Sequence, residues 1–261
     1  MTKFCFTVDV DRDVNECVPG RREAVSLRSP NGNARYSSSE EGVNLLLEML
    51  DEIGIKATFF AEARTLENID VSFGKNEVAM HGLDHEDMTG EISGITLSEH
   101  EIENIIRTSA GIIKERTGTL PKGFRAPYMR TNGKIMGILK RTGVRYDSSL
   151  YSESGYEMHP YDICGIKEIP VPFMKDGNGK KMYGFLWPMH EGVREPQEYV
   201  RMASAVKEGV FVIATHSWHI AESRNGLLNS EQKEKNLQNV RSVITQILDL
   251  GHKPARMIDT I

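Results

Sequence analysis

Apolar runs of strand length alternate with stretches of helical periodicity from one end of this chain to the other, and that alternation leaves few architectures open. The first run, FCFTVDVDRD at residues 4–13, ends in the acids Asp9, Asp11 and Asp13 and leads into a long polar loop over about residues 12–37. Val43, Leu46, Leu47 and Leu50 then recur at helical spacing, with Gly54 where such a helix stops. IKATFFAEA reads as a strand, and EVAMHG as another that ends at His81. SEHE at residues 98–101 is a capping box opening a helix through Ile102, Ile105, Ile106, Ile112 and Ile113 toward Gly118. KGFRAPY, VRYDSSL, IKEIPVPF and GVFVIATHSWH continue the strands. Helices are expected around residues 135–140, from Pro196 and from Ser230, the last with Val240, Ile244, Ile247 and Leu248 on one face. Repeated strand–helix units without a Pro/Gly/Ser-rich linker predict one α/β domain over residues 1–261, its sheet mostly parallel and either open or closed into a barrel.

Composition excludes more than it selects. With 261 residues, 39% hydrophobic and 26% charged, the chain can bury a substantial core and reads as neither disordered nor a coiled coil. A net charge of −5 without a dense Lys/Arg cluster argues against a nucleic-acid or anionic-membrane partner. No stretch reaches membrane-spanning length and no leader precedes the first strand, so a cytoplasmic location is expected. Cys5, Cys17 and Cys164 are scattered and lack CxxC spacing, which predicts free, buried thiols.

Asp9, Asp11, His81, Arg125, Asp147 and His216 all stand at the C-terminal ends of apolar strands. In α/β barrels that edge carries the active site, whereas a scatter of surface polars would fall at both ends equally. Asp9 and Asp11 alternate with Val8 and Val10 and so share a face, where two carboxylates repel unless water, a cation or a donor lies between them. HGLDHEDM places His81 and His85 four apart; with Asp11 they make a two-histidine, one-carboxylate set that leaves metal positions open for water. The same stretch also reads as a weakened HxxEH protease motif, with Asp84 in the place of Glu. In FRAPYMRTNG, Pro127 stiffens the backbone at Tyr128, whose N–H becomes a candidate oxyanion donor. THSWH ends its strand with His216 and His219 around Trp218; beside a metal His216 is a candidate acid, with Asp147 available to orient it.

In order and spacing these stretches resemble the polysaccharide deacetylase family, also called the NodB-homology or carbohydrate esterase family 4 group, over residues 4 to about 219. The resemblance implies an α/β fold, a distorted (β/α) barrel of seven or eight strands. It also implies roles: Asp9 as base, Asp11, His81 and His85 as metal ligands, Arg125 holding the base, and Tyr128 after Pro127 facing the oxyanion. Trp218 falls on the substrate side, and His216 is the acid, tuned by an aspartate placed at Asp147. The DxD of Asp9 and Asp11 departs from the adjacent aspartates of the commonest pattern and is similar to a branch with allantoinase-like and intracellular members. The implied activity is hydrolysis of a C–N amide bond, foremost N-deacetylation of an N-acetylated amino sugar or oligosaccharide. One divalent metal is implied; the donor set favours Zn2+, and Co2+, Fe2+ or Mn2+ can use the same ligands. The alternatives are an allantoinase-like hydrolase of a cyclic amide or ureide and an inactive sugar-binding relic. An iron oxygenase would share the ligands but leave Arg125 and His216 without roles. Homo-oligomerisation is left open.

Overall fold

A computed structural model describes residues 2–261. Its centre is a ten-stranded sheet whose core is a parallel series. In chain order these strands are β1 (Lys3–Val10), β2 (Thr58–Ala61), β3 (Glu77–Met80), β4 (Gly123–Phe124), β5 (Tyr146–Asp147), β6 (Ile166–Glu168) and β7 (Glu208–His216). Across the sheet they run β6-β5-β4-β3-β2-β1-β7. Tyr161–Ile163 adds an antiparallel edge beside β6, and Glu157–Met158 a parallel edge beside β7. The sheet curls into a half-barrel, the α/β architecture expected from the alternation.

The helices are α1 (Ser37–Ile53), α2 (Ala63–Asn68), α3 (Glu99–Thr117), α4 (Gly133–Arg141), α5 (Trp187–His190), α6 (Pro196–Ala205) and α7 (Ser230–Asp249). Local chemistry sets their ends. Gly54 takes the left-handed conformation (φ 78°) that closes α1. Ser98 and Glu101 form the reciprocal capping box of α3, and Asn229 with Gln232 repeats it at α7. The N-cap of α1, Tyr36, caps nothing with its side chain; Asp13 takes over, accepting the N–H groups of Ser38 at 3.1 Å and Ser39 at 2.7 Å. The third acid of the first run is therefore a helix cap.

β1 is buried on both faces, as the central strand of a covered parallel sheet must be. Phe4, Phe6, Val8 and Val10 join the large core under the helices, while Cys5 packs with Phe60, Ala79, Tyr146 and Val212 on the inner face. Period two puts Asp9 on that inner face.

Two expectations need correction. IKEIPVPF is not one strand: it breaks at Pro170, which has no N–H to donate, into β6 and Val171–Lys175, which pairs with Tyr151–Glu153 and Lys181–Tyr183 in a separate sheet. The cysteines are free, but only Cys5 is buried; Cys17 is half-buried and Cys164 exposed. The long loop over residues 12–37 is ordered by the hairpin of Asn15–Glu16 with Val25–Ser26, and Arg28 and Arg35 both pair with the buried Glu222. Among the described residues, no helix is long and apolar enough to cross a membrane.

Asp87 organises the loop after β3. It accepts the N–H groups of Thr89 (3.2 Å), Gly90 (3.1 Å), Ile92 (2.7 Å) and Ser93 (2.9 Å), and the Thr89 hydroxyl. Burial alone would raise its pKa, but these donors outweigh burial and hold it below the usual carboxylate range. A depressed folded pKa stabilises the fold above the unfolded value of about 4, and that stability is lost as pH falls through the folded value. Asp87→Asn is expected to lower unfolding free energy at pH 7 by about 1–3 kcal/mol, with a smaller difference at pH 3, as read by urea unfolding.

Candidate active site

The C-terminal edge of the sheet opens into a cleft of about 620 Å³, floored by Asp9, Asp11, His81, His85, Tyr128 and His216 and walled by aromatic side chains. Each floor residue is delivered by a strand end: Asp9 and Asp11 by β1, His81 and His85 by β3, Arg125 and Tyr128 by β4, and His216 by β7.

Arg125 is fully buried and spends its donors on fixed partners. Nη1 donates to Asp9 Oδ1 at 2.7 Å and Thr7 Oγ1 at 3.0 Å, Nε to the Ser148 carbonyl at 3.1 Å, and Nη2 to Ser148 Oγ at 3.1 Å. Its guanidinium lies 4.1 Å above the Phe60 ring. Burial would push the Asp9 carboxyl up; the Arg125 charge, helped by His81, His216 and the ion-pair hydrogen bond, outweighs burial and holds it below the ordinary value. Asp9 is thus held toward its ionised form at the floor of the cleft.

Asp11, His81 and His85 form the one cluster among the described residues that could hold a metal ion, with a ligand atom from each within 4.8 Å of the others. The donors fit a divalent cation. His81 Nδ1 donates to the Arg125 carbonyl at 2.8 Å, which leaves Nε2 as the ligating nitrogen. Asp11 Oδ2 accepts from Asn15 Nδ2 at 2.6 Å and lies 3.4 Å from His85 Nε2, while Asp11 Oδ1 is buried without any protein partner. Burial, then the charges of Asp9 and Glu62, raise the Asp11 carboxyl well above its usual value despite the Asn15 bond; burial and the neighbouring His81 and Arg12 push His85 well down. A buried carboxyl that a neighbouring positive charge would help to ionise, beside an imidazole held neutral, is a donor set that suits a divalent cation.

His85 has φ 53°, and Tyr128 and Met129 have φ 59° and 56°, so three non-glycine residues adopt left-handed backbone at this site. The Tyr128 hydroxyl donates to the His85 carbonyl at 3.1 Å, tying the two strained segments together. Pro127 opens the turn; Met129 N–H donates to Ala126 and Arg130 N–H to Pro127, and the Tyr128 N–H has no acceptor among the described residues.

His216 is half-buried, its ring stacked on Trp218 (centroids 5.6 Å) and on Phe185 (5.9 Å). Its Nδ1 meets no protein partner. Burial pushes it down to about 4, and the one carboxylate that pulls it back is Asp9, its register neighbour across β1 and β7. Asp147, expected to orient this histidine, does not: its carboxyl bonds Ser149 Oγ at 2.7 Å and faces Glu168, because β5 lies far around the sheet from β7. Asp84 is bound by Arg12 at 3.1 Å and Arg64 at 3.4 Å, so the protease-like reading loses its acid. On the far side, a Cβ on Gly42 of α1 would run into the Ser217 carbonyl, so α1 presses directly on the segment that carries His216.

The polysaccharide deacetylase family model matches residues 33–146, a stretch that contains His81, His85, Arg125 and Tyr128. Over that stretch the chain is similar to the polysaccharide deacetylase family. A peptidoglycan deacetylase-like protein of Gibberella zeae is 30% identical over 149 residues, covering 51% of this chain and 41% of that protein. The chain spans less than half the length of the curated relatives it matches. A provisionally named polysaccharide deacetylase structure from Mycobacterium smegmatis superposes with TM-score 0.67 at 19% identity, covering 99% of this chain and 87% of that one. A family pseudoenzyme from Bacillus anthracis superposes with TM-score 0.57 at 15% identity, covering 99% and 64%. These likenesses establish the deacetylase fold; because a pseudoenzyme shares it, activity has to be argued from the residues.

Within this deacetylase fold the structure brings together every site residue expected from sequence except Asp147. Sequence reading missed Asn15, four residues beyond Asp11 and bonded to it, and the aromatic wall of Tyr151, Tyr183, Phe185 and Trp187. Asn15 carried a readable signal in its spacing. The wall did not, since it comes from short strands and α5, whose positions depend on the second sheet.

Proposed function

We propose that the chain hydrolyses the amide of an N-acetylated amino sugar or oligosaccharide, releasing acetate. The observation that carries this reading is the Arg125–Asp9 ion pair beside the unsatisfied Asp11, His81 and His85 donors in one cleft. A divalent ion held by those three residues, zinc by its donor set, would supply a water of lowered pKa and polarise the acyl carbonyl. Asp9, kept ionised by Arg125, takes the proton of the attacking water. The free Tyr128 N–H, fixed by Pro127 and the left-handed turn, donates to the acyl oxygen as it gains charge. His216 delivers a proton to the departing nitrogen.

The low His216 pKa changes how that last step runs. A resting imidazolium is not available in the neutral range, so the proton is one acquired during turnover, passed from Asp9 at the adjacent register position. The balance closes: the hydroxyl of water joins the acyl carbon, the C–N bond breaks, and the proton of the same water leaves on the amine. Tyr151, Tyr183 and Trp187 offer aromatic faces for sugar rings in the outer cleft. The curated relatives' names make a peptidoglycan-type N-acetylhexosamine the first substrate to try.

The test is acetate release from a panel of N-acetylated mono- and oligosaccharides. His216→Ala is expected to lower kcat by about 10² to 10⁴ with metal content unchanged, and His219→Gln to matter much less. A larger loss at His219 would move the acid to that residue. Ammonia from cyclic ureides, with no acetate from any sugar, would support the allantoinase-like reading instead.

A further inference from the structure

Behind Arg125, away from the cleft, two carboxyls face each other inside the sheet. Asp147 and Glu168 are register partners on the parallel strands β5 and β6, and both are fully buried. One oxygen of each is engaged: Asp147 Oδ1 by Ser149 Oγ at 2.7 Å, Glu168 Oε1 by the Leu150 N–H at 2.9 Å. Asp147 Oδ2 and Glu168 Oε2 meet no N–H or hydroxyl among the described residues, and the register pairing of β5 with β6 sets the two carboxyls side by side. Two carboxylates cannot bond without a proton between them.

We propose that Asp147 and Glu168 share a single proton and that the resulting acid–carboxylate pair positions Arg125, and through it Asp9. Ser149 Oγ, which donates to Asp147, accepts the Ala126 N–H at 2.7 Å, so the pair anchors the entry to the Pro127 turn. The neighbouring Ser148 takes two of the Arg125 guanidinium bonds. The pair's one negative charge lies near enough to interact with Arg125, while Asp9 pairs with it at the cleft. Burial, then the Asp147 charge, pushes the Glu168 carboxyl up. Asp147 is also raised by burial, with bonds from Glu168 and Ser149 acting against it, so the two carboxyls hold one proton as a pair. The charged and titratable groups facing the pair are Arg125 from the β4 end and Tyr161 from the edge strand.

The inference rests on the deacetylase reading only for its kinetic arm. In the infrared difference spectrum of wild type against Glu168→Gln at pH 8, a carboxylic-acid C=O band belonging to the wild type is expected. Its absence would overturn the shared proton whatever the enzyme acts on. Gln keeps a donor toward Asp147, so Glu168→Gln is expected to hold kcat within about threefold, whereas the apolar Glu168→Leu loses about tenfold or more at nearly unchanged KM and metal content. Equal losses in both variants would reduce the pair to packing and sink the positioning role. Should Glu168→Leu fail to fold, the infrared band and the Gln variant still decide. No acetate release by wild type from any substrate, with the band present, would refute the deacetylase reading and leave the proton sharing standing.

Discussion

Asp9→Asn is expected to keep its metal and lose about 10² to 10⁴ in kcat, the usual worth of a positioned general base. The amide preserves the shape of the carboxylate, and its oxygen can still accept from Arg125 Nη1, which reaches Asp9 at 2.7 Å in the native site. What it lacks is a lone pair basic enough to take a proton. KM should change little, since Asp9 acts on water and makes none of the cleft's aromatic wall. Metal analysis alongside steady-state acetate release separates this outcome from collapse of the site. Retention of more than about a tenth of the wild-type rate would remove Asp9 from the role of base.

Loss of a metal ligand should be more severe. His81→Ala, His85→Ala and Asp11→Ala are each expected to reduce bound divalent metal from about one ion per chain to a small fraction, with acetate release falling below detection. The reason is the donor count: three protein ligands leave no spare. A chelator should abolish activity in the wild type, and added zinc should restore it there and not in the variants. Full metal occupancy in all three variants would place the ion elsewhere.

Local order made much of this legible in advance. Period two along β1 puts Asp9 on the inner face with Cys5, the Ser98–Glu101 box opens α3, Gly54 closes α1, and HxxxH sets two imidazoles within reach of one ion. Each depends on residues a few positions apart, where spacing alone decides direction. The strand-end rule then placed distant groups at one edge, Arg125 meeting Asp9 across 116 positions, because parallel strands in one sheet present their C-terminal ends to one edge.

What the amino-acid sequence determined by itself was therefore the α/β class, the edge where chemistry collects and most of the side chains that meet there. Tertiary structure alone decided which neighbour each one has and which proton it carries. Asp147 sits at the expected edge, but strand order places it beside Glu168 and not beside His216. Asp13 follows Asp9 and Asp11 at the same spacing of two and instead caps α1. Burial against Phe185 and Trp218 pushes the His216 imidazole down from its ordinary value. Pairing and ionisation depend on burial and on charges brought in from distant strands, and no local spacing encodes either of them.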